Sequence, residues 1–532
     1  MFERLIALIS VSVAASLIAG APASAQKSGG TLRYYVYDNA PSTSLHEEST
    51  ASAAVPFAAI YNNLVLFDQS KPHESMESIV PELAKSWSWD DSKTKLTFRL
   101  QEGVKWHDGK PFTAKDVQCT WRMLLGKEKA EDFRRNPRKI WYFNLDDVTI
   151  NGDYEATFVL KAPQPAFPML LASAFSPVYP CHVPQQAMRT KPIGTGPFRF
   201  VEFRRGESIK LTKNTDYWKK GRPYLDAIDI RIIDNRSTRL LAFQTGEFDF
   251  TYPADVTVPL MRDVKANAPK AICNLYATGV SSNLVVNRSS PPFDNAEIRK
   301  AMSLSLDRDS FVKILSEGQA TIGGAMLPLP EGEWGMPPEF VASLPGYGKN
   351  VEESREQGRK IMEKLGYGPG KPLKIKVSTR NIASYRDPAV ILIDQLKSVY
   401  IEGELETVDT PQWYAKITRK DYSVGLNLTG VSVDDPDGNL VENYTCESDR
   451  NYTKYCNAEI DKKIFAQSRE SDKDKRKKLV WEIERALVED GARPMIAHGR
   501  AATCHQPWLK DFVFHDNSIY SSTRFESVWL DK

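Results

Sequence analysis

Residues 103–117 read Gly-Val-Lys-Trp-His-Asp-Gly-Lys-Pro-Phe-Thr-Ala-Lys-Asp-Val. Gly103, Gly109 and Pro111 are turn-forming residues, each for its own backbone reason. Trp106 supplies a large apolar body for packing. Thr113 has a hydroxyl placed to cap the helix predicted to run through Met123. These features describe scaffold; none of them is a ligand site.

Working outward, Lys95 to Leu100 alternates Leu96, Phe98 and Leu100 with polar residues, the pattern of a half-buried strand. Downstream, Val148–Ile150 and Ala156–Leu160 flank Asn151-Gly152-Asp153, a hairpin signal. Further strands are read at Thr31–Tyr37, Phe198–Phe203, Ser208–Thr212, Ile228–Ile233, Leu373–Val377 and Glu404–Val408. Helices are read at Ala51–Tyr61, Ser237–Thr245, Asn295–Ser305, Val351–Leu365, Pro388–Tyr400 and Asp472–Asp490. Residues 162–197 are rich in proline and are expected to form irregular connections, with a boundary near 185. The fold class is therefore α/β with mixed sheets.

The N-terminus sets an expectation of export. Arg4 precedes an apolar run from Leu5 to Ala19, and Ala23-Ser24-Ala25 supplies the small residues of a cleavage site, so residues 1–25 read as a signal peptide. Gly20 and Pro22 end the run short of the roughly 20 residues a membrane-spanning helix needs. The mature chain is expected to be periplasmic and not membrane-embedded. It is long enough for two or three domains. Lys plus Arg number 70 against 68 Asp plus Glu, a balance that offers no broad field for nucleic acid. The one dense basic run, Arg134-Arg135-Asn136-Pro137-Arg138-Lys139, reads as a solvated loop and is assigned no function. The aromatic content of 10% suits a ligand cleft as well as ordinary cores.

Catalytic signatures are missing. The chain has no G-x-S-x-G elbow, no G-x-x-x-x-G-K-[ST] loop and no H-E-x-x-H helix. Gly194-Thr195-Gly196 is followed by Pro197 where a dinucleotide loop requires a helix N-terminus. The seven histidines show no paired metal-ligand spacing. Asp434-Asp435-Pro436-Asp437-Gly438 resembles part of a calcium loop, but Val433 and Tyr444 occupy positions that require carboxylates. No cofactor, no metal and no enzymatic activity are expected. The alternative is a secreted hydrolase, which would need an activated nucleophile or a poised acid–base pair.

Several stretches together resemble the family 5 extracellular solute-binding proteins, the dipeptide, oligopeptide and nickel receptors of ABC importers. They are Val80-Pro81-Glu82-Leu83-Ala84 with Trp87, Phe98-Arg99-Leu100, residues 103–117, Pro192-Ile193-Gly194-Thr195-Gly196-Pro197-Phe198, Asn214, Asp216-Tyr217-Trp218, and Phe293-Asp294-Asn295 with Arg299-Lys300-Ala301. The resemblance implies a two-lobed periplasmic-binding-protein fold of three domains with the ligand cleft between lobes. Domain I would comprise residues 26–62, 185–285 and 500–532, domain II residues 63–184, and domain III residues 286–499. It also implies a monomeric importer subunit that captures a small solute, a short peptide in the first instance, and passes it to permease subunits.

Peptide receptors of this kind hold the peptide amine with an Asp after a Trp-Thr-Gly triplet. Here the aligned stretch is Leu428-Thr429-Gly430-Val431, so Leu replaces the Trp and Val the Asp. The resemblance places Arg380 as a carboxylate partner and Trp413 as a pocket wall, with Asp434 or Asp435 standing in for the missing acid. The plain alternatives are a surface Arg and a core Trp. A non-peptide amphoteric nutrient, such as a cationic sugar or an opine-like compound, remains an alternative solute. A disulfide is expected between Cys446 and Cys456, which enclose a short loop in an exported chain, as in dipeptide receptors. Cys119, Cys181, Cys273 and Cys504 are buried thiols or one of three pairings.

Overall fold

The computed structural model describes residues 26–128 and 132–532. The expected signal peptide lies outside these residues. Thr113 and Asp116 form a reciprocal cap in which the Thr113 N–H donates to Asp116 Oδ2 (3.0 Å), starting the helix Ala114–Leu125. Asp116 Oδ1 also accepts from the Cys181 N–H (2.9 Å), tying the helix start to a distant loop. Trp106 is buried against Phe112. The His107 N–H donates to the Gly194 carbonyl (2.9 Å), so the 103–117 stretch docks on the 192–198 stretch. A Cβ at Gly194 would stand 1.9 Å from the Ile60 carbonyl oxygen. Glycine is required there for backbone to meet backbone.

Three sheets carry the chain. One has the order Thr31–Val36, Ala227–Ile232, Ser208–Lys213, Phe198–Arg204; its first pair is parallel and the others antiparallel. Its outermost strands therefore come from segments about 165 residues apart. The second sheet is antiparallel, in the order Ala84–Trp89, Lys95–Leu100, Glu155–Leu160, Leu145–Ile150. These two share one continuous apolar core. The third has five strands in the order Ile401–Val408, Leu373–Arg380, Val424–Gly430, Ile272–Val286, Met495–His505. Its own core is closed by the helices Ala296–Leu304, Val351–Lys364 and Ala383–Leu396.

Three expectations change, and one choice that the sequence leaves open is made. The proline-rich 162–197 stretch contains the helices Phe167–Ala172 and Gln185–Met188; Pro168 is tolerated because it sits in a first turn, where its missing N–H has no partner to lose. The helix read from Pro388 begins at Ala383, so Pro388 lies inside it. Cys119 pairs with Cys181 and Cys273 with Cys504, so no thiol is free among the described residues; Cys446 pairs with Cys456. The basic run is not a solvated loop. Arg138 is fully buried, and Arg134 and Arg135 are ion-paired to the buried carboxylate of Glu48.

Candidate ligand cleft

Ile272–Val286 and Met495–His505 are the two strands that join the halves of the molecule. The outer end of Met495–His505 hydrogen-bonds to residues 251–256, as in Thr251 N–H to the Cys504 carbonyl (2.8 Å), and Ile272–Val286 pairs alongside it. Their inner ends belong to the five-stranded sheet. The register between them shifts from Ala277 to Ser281, a bulge that bends both strands. Gly279 lies in the shift at φ +62°, and a Cβ there would stand 2.4 Å from the Asn517 carbonyl oxygen. The Val431 N–H donates to the Gly279 carbonyl (2.8 Å), which fixes the end of the Val424–Gly430 strand at the bulge.

At this bend lies a cavity of about 350 Å³. Thr278, Val280 and Ser282 form its floor, and Leu428 and Gly430 of the stretch that replaces the Trp-Thr-Gly triplet face it. Its polar lining holds Arg380 and Arg450 with the phenols of Tyr37, Tyr385, Tyr414 and Tyr520, and also Arg236, Asp387, Asp255 and Arg500, which are paired: Arg236 with Asp387 (3.7 Å), Asp255 with Arg239 (2.7 Å) and Arg500 with Glu331. Rings carrying one polar atom suit a small amphipathic solute, offering area and hydrogen bonds at little entropic cost.

Arg380, expected to take a carboxylate, lines the cavity but is already surrounded. It donates to Asp38 Oδ2 (2.7 Å), Thr410 Oγ1 (2.7 Å), the Tyr385 hydroxyl (2.7 Å) and Ser52 Oγ (3.2 Å). Burial by itself would weaken its hold on the proton, but Tyr385 and Asp38 more than offset that and keep it firmly cationic. Tyr385 is in turn pushed up to about 12 by burial, against the pull of Arg380. The surface alternative for Arg380 does not hold, because its side chain is 2% exposed.

Trp413 does not reach the cavity. It is packed among Val285, Ile417, Tyr422 and Tyr452, and its neighbour Tyr414 is the ring that lines the wall. Asp435 is held by Arg476 in a two-point pair (2.8 and 2.6 Å) and lies away from the cavity. Asp434 accepts from Asn517 Nδ2 (3.1 Å), lies 3.9 Å from His73 and is likewise outside the lining; burial raises its carboxyl to about 6, opposed by the Asn517 bond. Neither aspartate is brought to the place of the missing acid. Asp437, third of the acids in that turn, is taken by Gln164, Gln467 and Ser468.

The dismissed basic run contributes to the same region. Arg138 lies 3.0 Å from Glu442, between the rings of Trp141 (4.6 Å) and Phe175 (4.1 Å). Glu442 also accepts from Trp141 Nε1 (2.6 Å) and from Arg450. Together with Asp38–Arg380 and Gln164–Asp437 (2.8 Å), this carboxylate ties the 26–184 segments to the half built on the five-stranded sheet. Sequence reasoning passed over Arg138 and Arg450. The available signals were the density of the basic run and the position of Arg450 inside the short Cys446–Cys456 loop.

The family model for bacterial extracellular solute-binding proteins, family 5, matches residues 78–451. The chain belongs to that family. Among its relatives, this family 5 protein is 26% identical over 477 residues to the oligopeptide-binding protein AppA of Bacillus subtilis, covering 85% of this chain and 83% of that one. It is 26% identical over 495 residues to di/tripeptide-binding protein 1 of Pseudomonas aeruginosa, covering 86% of each. Its fold is that of the ABC transporter-associated periplasmic binding protein DppA from Helicobacter pylori in complex with peptide STSA, at a TM-score of 0.82 and 22% identity over 95% of this chain and 99% of that one. The family consists of transport-associated binding proteins rather than enzymes. The architecture is thus the periplasmic-binding-protein fold, mixed α/β with several sheets. No helix among the described residues is long and apolar enough to cross a membrane.

Proposed function

We propose that this protein is the periplasmic capture subunit of an ABC importer, and that its solute is a small molecule of short-peptide size bearing at least one carboxylate. The observation that carries this reading is the arginine- and tyrosine-lined cavity of about 350 Å³ at the bend of the two connecting strands. Arginine presents a planar fork that matches a carboxylate, and the cavity volume lies within the range of small-molecule sites. The peptide character of the solute is supported by the names of the relatives, which bind oligopeptides and di- or tripeptides. Capture works by closure: the lobes pivot about the connecting strands, and contacts such as Asp38–Arg380 form across the cleft as it shuts. Delivery to permease subunits follows reopening.

A second solute class is favoured by one specific observation. Val431 stands where peptide receptors carry an amine-binding acid, and neither Asp434 nor Asp435 lines the cavity to replace it. A carboxylate-bearing nutrient without a free peptide amine fits that wall equally well. Mass spectrometry under non-denaturing conditions, on protein purified from its own host, decides between them. A peptide released unaltered on denaturation supports the first reading, and an intact non-peptide acid the second. Recovery of cleaved products would replace both with hydrolysis.

A further inference from the structure

Charge around the cavity is unevenly compensated, and the imbalance sits at Arg450 rather than Arg380. Arg380 has a carboxylate of its own in Asp38. Arg450 shares Glu442 with Arg138, and both guanidinium groups are buried, at 5% and 0% side-chain exposure. None of the Arg138 N–H groups has a hydrogen-bond acceptor among the described residues, and Arg450 Nε has none either. Arg493, also buried, donates only to Asn443 Oδ1 (2.9 Å), while its Nε and one terminal nitrogen find no acceptor. Two buried cations thus share one carboxylate, and a third, Arg493, adds positive charge near Arg450 without an ion-pair partner among the described residues.

Such an arrangement is expensive unless something completes it, since an unpaired buried charge costs several kcal/mol. Burial weakens the proton affinity of Arg138, and Glu442 only partly restores it while Arg450 lowers it further. Only Arg450 of the three lines the cavity. Beside it stand the hydroxyl-bearing rings of Tyr414 and Tyr520, and Tyr520 packs on Phe175, whose other partner is Arg138 (centroids 5.1 Å; guanidinium 4.1 Å). The groups left over are all donors. A donor surplus with excess positive charge calls for an anion with several acceptor lone pairs.

We infer that the solute carries a net negative charge, with a carboxylate set against Arg450, Tyr414 and Tyr520, so that the preferred class is acidic dipeptides or dicarboxylates rather than neutral zwitterions. This rests on the solute-capture reading above. It relocates the anion from Arg380, which has Asp38 as its own counter-charge, to Arg450, which must share Glu442 with Arg138.

Calorimetry on refolded, solute-free protein with Ala-Ala, Glu-Ala, Lys-Ala and glutarate as probes tests the inference. The expected result is Glu-Ala bound at least about tenfold more tightly than Ala-Ala, with Lys-Ala weakest. R450M should bind Glu-Ala and Ala-Ala alike. Should R450M fail to fold, R138M serves: it leaves Glu442 to neutralise Arg450 alone, and the preference for Glu-Ala should shrink. Equal affinity of wild type for Ala-Ala and Glu-Ala overturns the inference and leaves solute capture standing. Glutarate bound with no dipeptide bound supports the inference and removes the short-peptide reading. No binding of any probe in the millimolar range overturns the inference, while solute recovered from host-purified protein would still uphold capture.

Discussion

Glu442→Gln removes the one carboxylate that Arg138, Arg450 and Trp141 Nε1 converge on. Arg138 lies 3.0 Å from that carboxylate, which at an effective dielectric of about 20 is a gross attraction of about 5 kcal/mol. Gln keeps the shape and one acceptor oxygen, so packing and one hydrogen bond survive. What is lost is the counter-charge of two buried guanidinium groups, and breaking buried pairs in this way costs about 3 to 5 kcal/mol. Arg138→Met is the instructive contrast. It leaves Arg450 and Glu442 matched one to one and places a flexible apolar chain between the rings of Trp141 and Phe175. Relief of desolvation then offsets the lost attraction, and stability should stay within about 1 kcal/mol of wild type. The measurement is equilibrium urea unfolding of refolded, solute-free protein, comparing midpoints at unchanged slope. A loss in Arg138→Met as large as that in Glu442→Gln would refute the charge count, because it would mean that Arg138 is fully compensated.

Gly279→Ala forces a side chain into φ +62° with its Cβ 2.4 Å from the Asn517 carbonyl oxygen. The expected loss is about 2 to 4 kcal/mol, read by the same unfolding assay; an unaffected variant would show that the bend tolerates a shift. Burial raises Glu484 to about 8, although it accepts from the Met326 and Met336 N–H groups. Because the folded value exceeds the unfolded one, its stabilising contribution is complete below about pH 4.5 and declines by about 1.4 kcal/mol per unit until the pH passes about 8. Glu484→Gln should flatten that decline, and parallel stability–pH curves for the two proteins would count against it. Replacing Cys446 and Cys456 by Ser opens a loop of sequence separation 10 and should cost about 2 to 3 kcal/mol; alkylation of both cysteines in unreduced wild type would remove the basis for this.

The sequence by itself determined the scaffold and the family. The Thr113 cap, the Asn151-Gly152-Asp153 hairpin and the period of most helices depend on neighbours a few residues away, so they are legible in order. Residues 103–117 and 192–198 were also readable as motifs, because the backbone approach they make leaves glycines and a tryptophan in fixed places. The long strands Ile272–Val286 and Met495–His505 were not read, since strands crossing from one core to another keep no single apolar alternation. The site was legible least of all. Whether Arg380 is free depends on Asp38, 342 positions away. Whether Trp413 or Tyr414 faces the cavity depends on the rotation of one short helix against the sheet. The basic run looked solvated because charge along the chain cannot reveal that Glu442, about three hundred residues later, would draw Arg138 inside. Local chemistry wrote the elements; the counter-ions that decide which charges remain for a solute were assigned only when distant segments closed on one another.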